Sequence, residues 1–209
     1  QDFPDCAVMA MVRPRGGDFL YSQQELEVME ADVRHAKETG ADGVVFGLLD
    51  AVGNVDLANC ARLAGLCADL GLDVTFHRAV DACRDPVEAA ASLARAGFRR
   101  VLTSGGQPLA SDGASTIRAM VEAVKGSGLS VMVGSGVRPE NVGRLLRETG
   151  AHEAHGSCRT EVLSAFGHRP AVCFSASGSD YSRHETDREK VRALVAAATA
   201  GGGGGEEGG

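Results

Sequence analysis

Gly43-Val-Val-Phe-Gly-Leu-Leu-Asp50 is a short run that is apolar on both faces and closes on an acid. A strand hydrophobic on both sides is covered on both sides, the condition of a parallel sheet flanked by helices. Outward from this stretch, comparable runs begin near Ala7 (AVMAMV), Leu72 (LDVTFH), Arg99 (RRVLTS), Leu129 (LSVMVG) and Ala151 (AHEAH). Helical patterns separate them, and the alternation predicts βα units.

The helix boundaries are written in the sequence. Ser22-Gln-Gln-Glu25 is a capping box, and Gly40 stops that helix. Asp56 opens a second, with Leu57, Cys60, Ala61, Ala64 and Cys67 expected on its inner face before Gly71. Asp85-Pro86 supplies an N-cap and a proline at the first helical position, and Gly97 closes that helix. Pro139 is expected to open a helix that buries Val142, Leu145 and Leu146 and stops at Gly150. Thr186-Asp-Arg-Glu189 reads as a second capping box, starting a last helix through Val191, Leu194 and Val195. The segment 201–209 is glycine-rich and expected to be disordered.

Composition narrows the function. The chain of 209 residues suits one domain, though it is short for an eight-unit barrel of about 250. A net charge of −7 and only three lysines (Lys37, Lys125, Lys190) argue against nucleic acid and against a membrane surface as partners. Six cysteines, at 6, 60, 67, 83, 158 and 173, include no C-x-x-C pair and read as reduced thiols of a cytoplasmic protein. No apolar stretch approaches ~18 residues, so no membrane-spanning helix is expected.

Six parallel strands fit either an open doubly wound sheet or a TIM-type barrel with two units missing. No dinucleotide-type G-x-G-x-x-G follows the first strand. In both architectures the functional residues sit at the C-terminal ends of the strands. The unusual polar residues fall there: Arg13, Arg15 and Asp18; Asp50; His77, Arg78 and Asp81; Ser104; Gly134 and Gly136; His155 and Ser157. Three arginines in an acidic chain suit an anionic ligand held by guanidinium forks, and glycine-rich turns free backbone N–H groups for a phosphate or carboxylate. The same residues have structural readings. Arg13 or Arg78 can pair with Asp18, Asp50 or Asp81 to close the mouth, and His77 and His155 can be hydrogen-bonded within the fold.

The segments Arg13-Pro-Arg-Gly-Gly-Asp-Phe19 with Tyr21-Ser22, and Thr75-Phe-His-Arg-Ala79 with Asp81, resemble those of the CutC copper homeostasis family. So do Gly47-Leu-Leu-Asp50 with Gly53-Asn-Val-Asp56, Val101–Gly105, Val133–Val137 with Asn141, Glu153 with His155 and Ser157, and Asp180-Tyr-Ser182. Order and spacing agree over residues 8–195. The resemblance implies an incomplete TIM-type (β/α) barrel, six of eight units, as a single domain over 1–200 that lacks its first two units. It also implies a cytoplasmic setting and a role in copper homeostasis. The cysteines usually suggested as copper ligands lie in the two leading units, so His77 and His155 are the site-like candidates left for copper (Cu+). Val52, where relatives often carry an acid, and Gly156 and Cys158 depart from the family pattern.

Two functions follow as expectations. One is copper homeostasis, with Cu(I) binding or trafficking, for which soft ligands are preferred. The other is an enzyme acting on a small anionic or phosphorylated metabolite. There His77 is general acid or base, Asp50 or Asp81 its orienter, and Arg13, Arg15 and Arg78 the anion clamp. Unpaired edges at residues 7–12 and 151–156 further predict self-association into a homo-oligomer.

Overall fold

The structure is a computed structural model that describes residues 6–168, 171–172 and 180–202. Six strands form one parallel sheet in sequence order: β1 (Met9–Met11), β2 (Gly43–Phe46), β3 (Asp73–Phe76), β4 (Arg100–Thr103), β5 (Ser130–Gly134) and β6 (Glu153–His155). Among the described residues β1 pairs only with β2, and β6 only with β5. The sheet is therefore an open half-barrel of six βα units, as the alternation of runs predicts.

Five helices cover its convex face: α1 (Gln23–Glu38), α2 (Leu57–Asp69), α3 (Pro86–Arg95), α4 (Ala114–Ala123) and α5 (Val142–Thr149). The core lies between sheet and helices. Val44, Phe46, Val74, Phe76, Val101, Val131 and Val133 are buried there, and Phe98 meets the rings of Phe46 and Phe76 edge-on at 5.3 and 5.4 Å. Burying each such ring contributes about 1.5–3 kcal/mol. On the concave face the alternate positions Met9, Val45, Leu102, Met132 and Glu153 are only half-buried. Arg100 reaches along that face to both Thr75 and Glu153, joining β3, β4 and β6.

The caps at Ser22, Asp56 and Asp85 form as predicted, with Ser22 and Glu25 bonding reciprocally. Several local expectations do not hold. The fifth helix starts at Val142, because Asn141 accepts the Arg138 N–H and turns the chain before helix begins. Asp187, not Thr186, caps the last helix, α6 (Arg188–Gly202), by accepting from the amides of Glu189 and Lys190. Thr186 instead ends a strand. It belongs to a hairpin of β7 (Arg159–Leu163) and β8 (Ser182–Thr186) that no periodicity announces. Leu57 and Ala61 face solvent while Leu63 takes the buried place on α2. On α6, Leu194 packs on the core while Val191 and Val195 are exposed. The helix also takes in residues 201–202 of the glycine-rich segment, whose remainder, like Cys173, lies outside the described residues.

Candidate functional site

Parallel strands bring all six C-terminal ends to one rim, and the predicted residues divide there into two kinds. The first kind is fully engaged. Arg15 donates to Glu25 at 2.5 Å and to the carbonyls of Gly16, Asp18 and Leu20, and it pairs with Asp18 at 2.9 Å. The Ser22 amide, then Arg15, hold the Glu25 carboxyl below its usual range. Arg15 thus braces the loop after β1 onto the start of α1.

Asp81 is the centre of a second knot. It accepts from Arg78 Nε at 2.7 Å, Thr103 Oγ1 at 2.6 Å, Ser104 N and Oγ at 3.0 Å, and Gly106 N at 3.0 Å. Burial alone pushes its carboxyl up, but these donors outweigh burial and hold it below the ordinary value. Arg78 also reaches Ser104 Oγ at 2.7 Å. Asp50 accepts from the amides of Val52 and Asn54 at 3.0 and 2.8 Å and closes its own turn. These hydrogen bonds give both acids partners other than His77.

The second kind has free valence. His77 is 5% exposed and meets the Phe19 ring at 5.0 Å, tilted by 59°. Its Nδ1 accepts the Ala79 N–H at 3.2 Å, which places the proton of the neutral ring on Nε2. Nε2 is buried and has no partner among the described residues, and the Tyr21 hydroxyl is in the same condition. Burial first, then the Arg13 charge, lowers the His77 pKa to about 4. Burial raises the Tyr21 pKa, and the neighbouring Arg13 opposes that rise. Arg13 is exposed, bonds Gly17 O at 2.9 Å and lies over the Phe19 ring at 4.9 Å. Buried donors without acceptors each cost about 1–3 kcal/mol. Two of them around one guanidinium describe a place for an acceptor oxygen.

The far side of the rim is separate. Gly134 is needed for packing, since a Cβ there meets Leu102 at 2.6 Å, and Gly136 adopts φ 69°. Ser135 between them holds φ 78°, bonding Pro108 O at 2.7 Å. His155 and Ser157 are exposed at the end of β6. His155 sits three strands from His77, roughly 10–14 Å across the sheet, so the two do not share a ligand atom. Tyr21, Phe19 and Gly47 are the site residues that residue chemistry alone did not single out. All three stood only inside the segments that carry the family resemblance.

The CutC family profile matches residues 1–160. The chain belongs to the CutC family. It is 46% identical over 192 residues to the human copper homeostasis protein cutC homolog, covering 90% of this chain and 69% of that protein. Against CutC of Chromobacterium violaceum it is 45% identical over 193 residues, covering 91% and 77%. The solved structure of the putative copper homeostasis protein CutC from Streptococcus agalactiae aligns with TM-score 0.66 at 34% identity over 72% of each chain. Rubisco from Pyrococcus horikoshii aligns with TM-score 0.55 at 17% identity, over 88% of this chain and 41% of that one, a likeness of fold alone.

His77 and His155, the residues expected for copper, sit three strands apart. His77 presents an N–H rather than a lone pair, beside the positive Arg13. Burial raises the Cys60 thiol to about 12 and those of Cys67 and Cys83 to about 11. No group of three or more His, Cys, Asp or Glu among the described residues is arranged to hold a metal ion.

Proposed function

We propose that this CutC-family protein serves in copper homeostasis, binds Cu(I) as cargo, and recognises a small anionic ligand at its rim. The anion reading rests on one observation: the His77 Nε2–H and the Tyr21 O–H, both buried and without an acceptor among the described residues, flank Arg13. A carboxylate or phosphate oxygen accepts from all three, and the charge-assisted bond to Arg13 supplies most of the affinity. Phe19, between Arg13 and His77, gives the ligand an apolar wall. His77, neutral across physiological pH, works as a fixed donor and not as a base.

The copper role is carried by what relatives are named for. A cytoplasmic setting is supported by free thiols at all five described cysteines. The edges of β1 and β6, unpaired among the described residues, support a homo-oligomer. Calorimetric titration with phosphate, sulfate and small mono- and dicarboxylates tests the anion reading. At least one is expected to bind the wild type and to lose ~10-fold or more in affinity in Tyr21→Phe and Arg13→Gln. Equal affinity in all three proteins refutes it.

A further inference from the structure

Besides the thiols of Cys83 and Cys158 near the strand ends, soft donors lie on the concave face of the sheet. In-register neighbours of a parallel sheet share a face. Met9 pairs with Gly43, Met11 with Val45, and Gly43 in turn with Asp73. A Cβ built on Gly43 would lie 2.7 Å from Met9 Sδ and 2.6 Å from its Cε. The Met9 thioether therefore rests on the bare Cα of Gly43, on the face opposite the buried Val12. Met11, two residues on, is on the same face of β1 and 61% exposed. Successive same-face positions of a strand lie about 6.5–7 Å apart. Two side chains as flexible as methionine converge on one ion across such a gap.

The setting distinguishes this pair from the other methionines. Of the five in the sequence, Met29 and Met120 are fully buried under the helices, and Met132 stands on β5, four strands away. Among the described residues only Met9 and Met11 stand as two methionines on one face of one strand, Met9 seated on Gly43 and Met11 exposed. Among the described residues that strand pairs only with β2. Thioether sulfur is soft, uncharged and never protonated, so it takes a soft monovalent ion and leaves hard divalent ions in water.

We infer that Met9 and Met11 form a bis-thioether Cu(I) site on the concave face of β1. The inference rests on the copper role proposed above and names the residues that hold the ion. The site is distinct from the rim. Cu(I) binds on the sheet through sulfur, and the anion binds beyond it through Arg13, Tyr21 and His77.

The test uses the full chain with accessible thiols blocked by N-ethylmaleimide, so that Cys6 does not compete. Cu(I) is delivered from its acetonitrile complex, and the methionine methyl resonances are followed by NMR. The Met9 and Met11 methyls are expected to shift together and saturate at one equivalent, with Met29, Met120 and Met132 unmoved. Met11→Leu and Met9→Leu, checked for native circular dichroism, are each expected to weaken Cu(I) retention ~10-fold or more against a competing chelator. Retention of Cu(I) with these methyls unmoved, or at undiminished affinity in both variants, overturns the site and leaves the copper role standing. Failure to retain Cu(I) before as well as after thiol blocking overturns both.

Discussion

The His77 imidazole lies directly on the Cα of Gly47, where a Cβ would stand 2.6 Å from Nδ1 and 2.7 Å from Cε1. Gly47 follows β2 and His77 follows β3, so the absent side chain on one strand sets the ring position on the next. Gly47→Ala is expected to push the ring off Ala79 N–H, to cost about 1–3 kcal/mol of stability, and to abolish anion binding at the rim. Urea unfolding and the anion titration read the two effects. An alanine variant of wild-type stability and affinity contradicts the placement of the ring.

Titration of His77 gives stability a defined pH window. Its ordinary value of 6.5 applies to the unfolded chain, and about 4 applies to the fold. Between those values the unfolded chain takes up a proton that the folded one refuses. Stability is therefore full above about pH 6.5 and falls as pH drops toward 4, by about 3 kcal/mol in total. His77→Gln is expected to flatten that slope. Chemical denaturation from pH 7 to 4 measures it, and an unchanged slope in the variant refutes the assignment.

Asp81 governs the range below. Its carboxyl sits under the ordinary value of 3.8 in the fold, so its hydrogen bonds stabilise above about pH 4 and are lost as pH falls through the lower folded value. Asp81→Asn leaves Thr103, Ser104 and Gly106 with a poorer acceptor and is expected to cost about 2–4 kcal/mol at pH 7. The Arg78 pair, half-exposed on the arginine side, contributes about 1 kcal/mol or less of that. Thermal unfolding of Asp81→Asn and Arg78→Met separates the shares, with the asparagine expected to be the more damaging.

The fold was legible from the sequence because its signals are local. Apolar runs such as Gly43–Phe46 mark strands, and Ser22, Asp56 and Asp85 mark helix starts. The β7–β8 hairpin was not legible, since neither Arg159–Leu163 nor Ser182–Thr186 contains a buried residue and both lack the apolar runs that mark the sheet strands. The rim residues could be enumerated from strand ends, but their division could not. Whether an aspartate is engaged depends on what the neighbouring strand presents. Asp81 meets Thr103 and Ser104 from β4 and the loop beyond it, while His77 meets the empty Cα of Gly47 from β2. Such pairings arise from sheet order, and no single segment carries them.

Open sheet edges carry a prediction of their own. Val8, just before β1, is exposed, β1 pairs only with β2 among the described residues, and unpaired strands template association. Light scattering after size exclusion is expected to show concentration-dependent self-association that Val8→Lys reduces. A monomer at all concentrations contradicts it.

The most direct test of the rim is the His77 Nε2–H itself, observed in the imidazole region of a ¹H–¹⁵N correlation spectrum while phosphate, sulfate and small carboxylates are titrated in. The account predicts an Nε2–H signal present at neutral pH, moved to saturation by at least one of these anions, and less responsive in Tyr21→Phe. A ring protonated on Nδ1 instead, or an Nε2–H unmoved by every anion at saturating concentration, would contradict it.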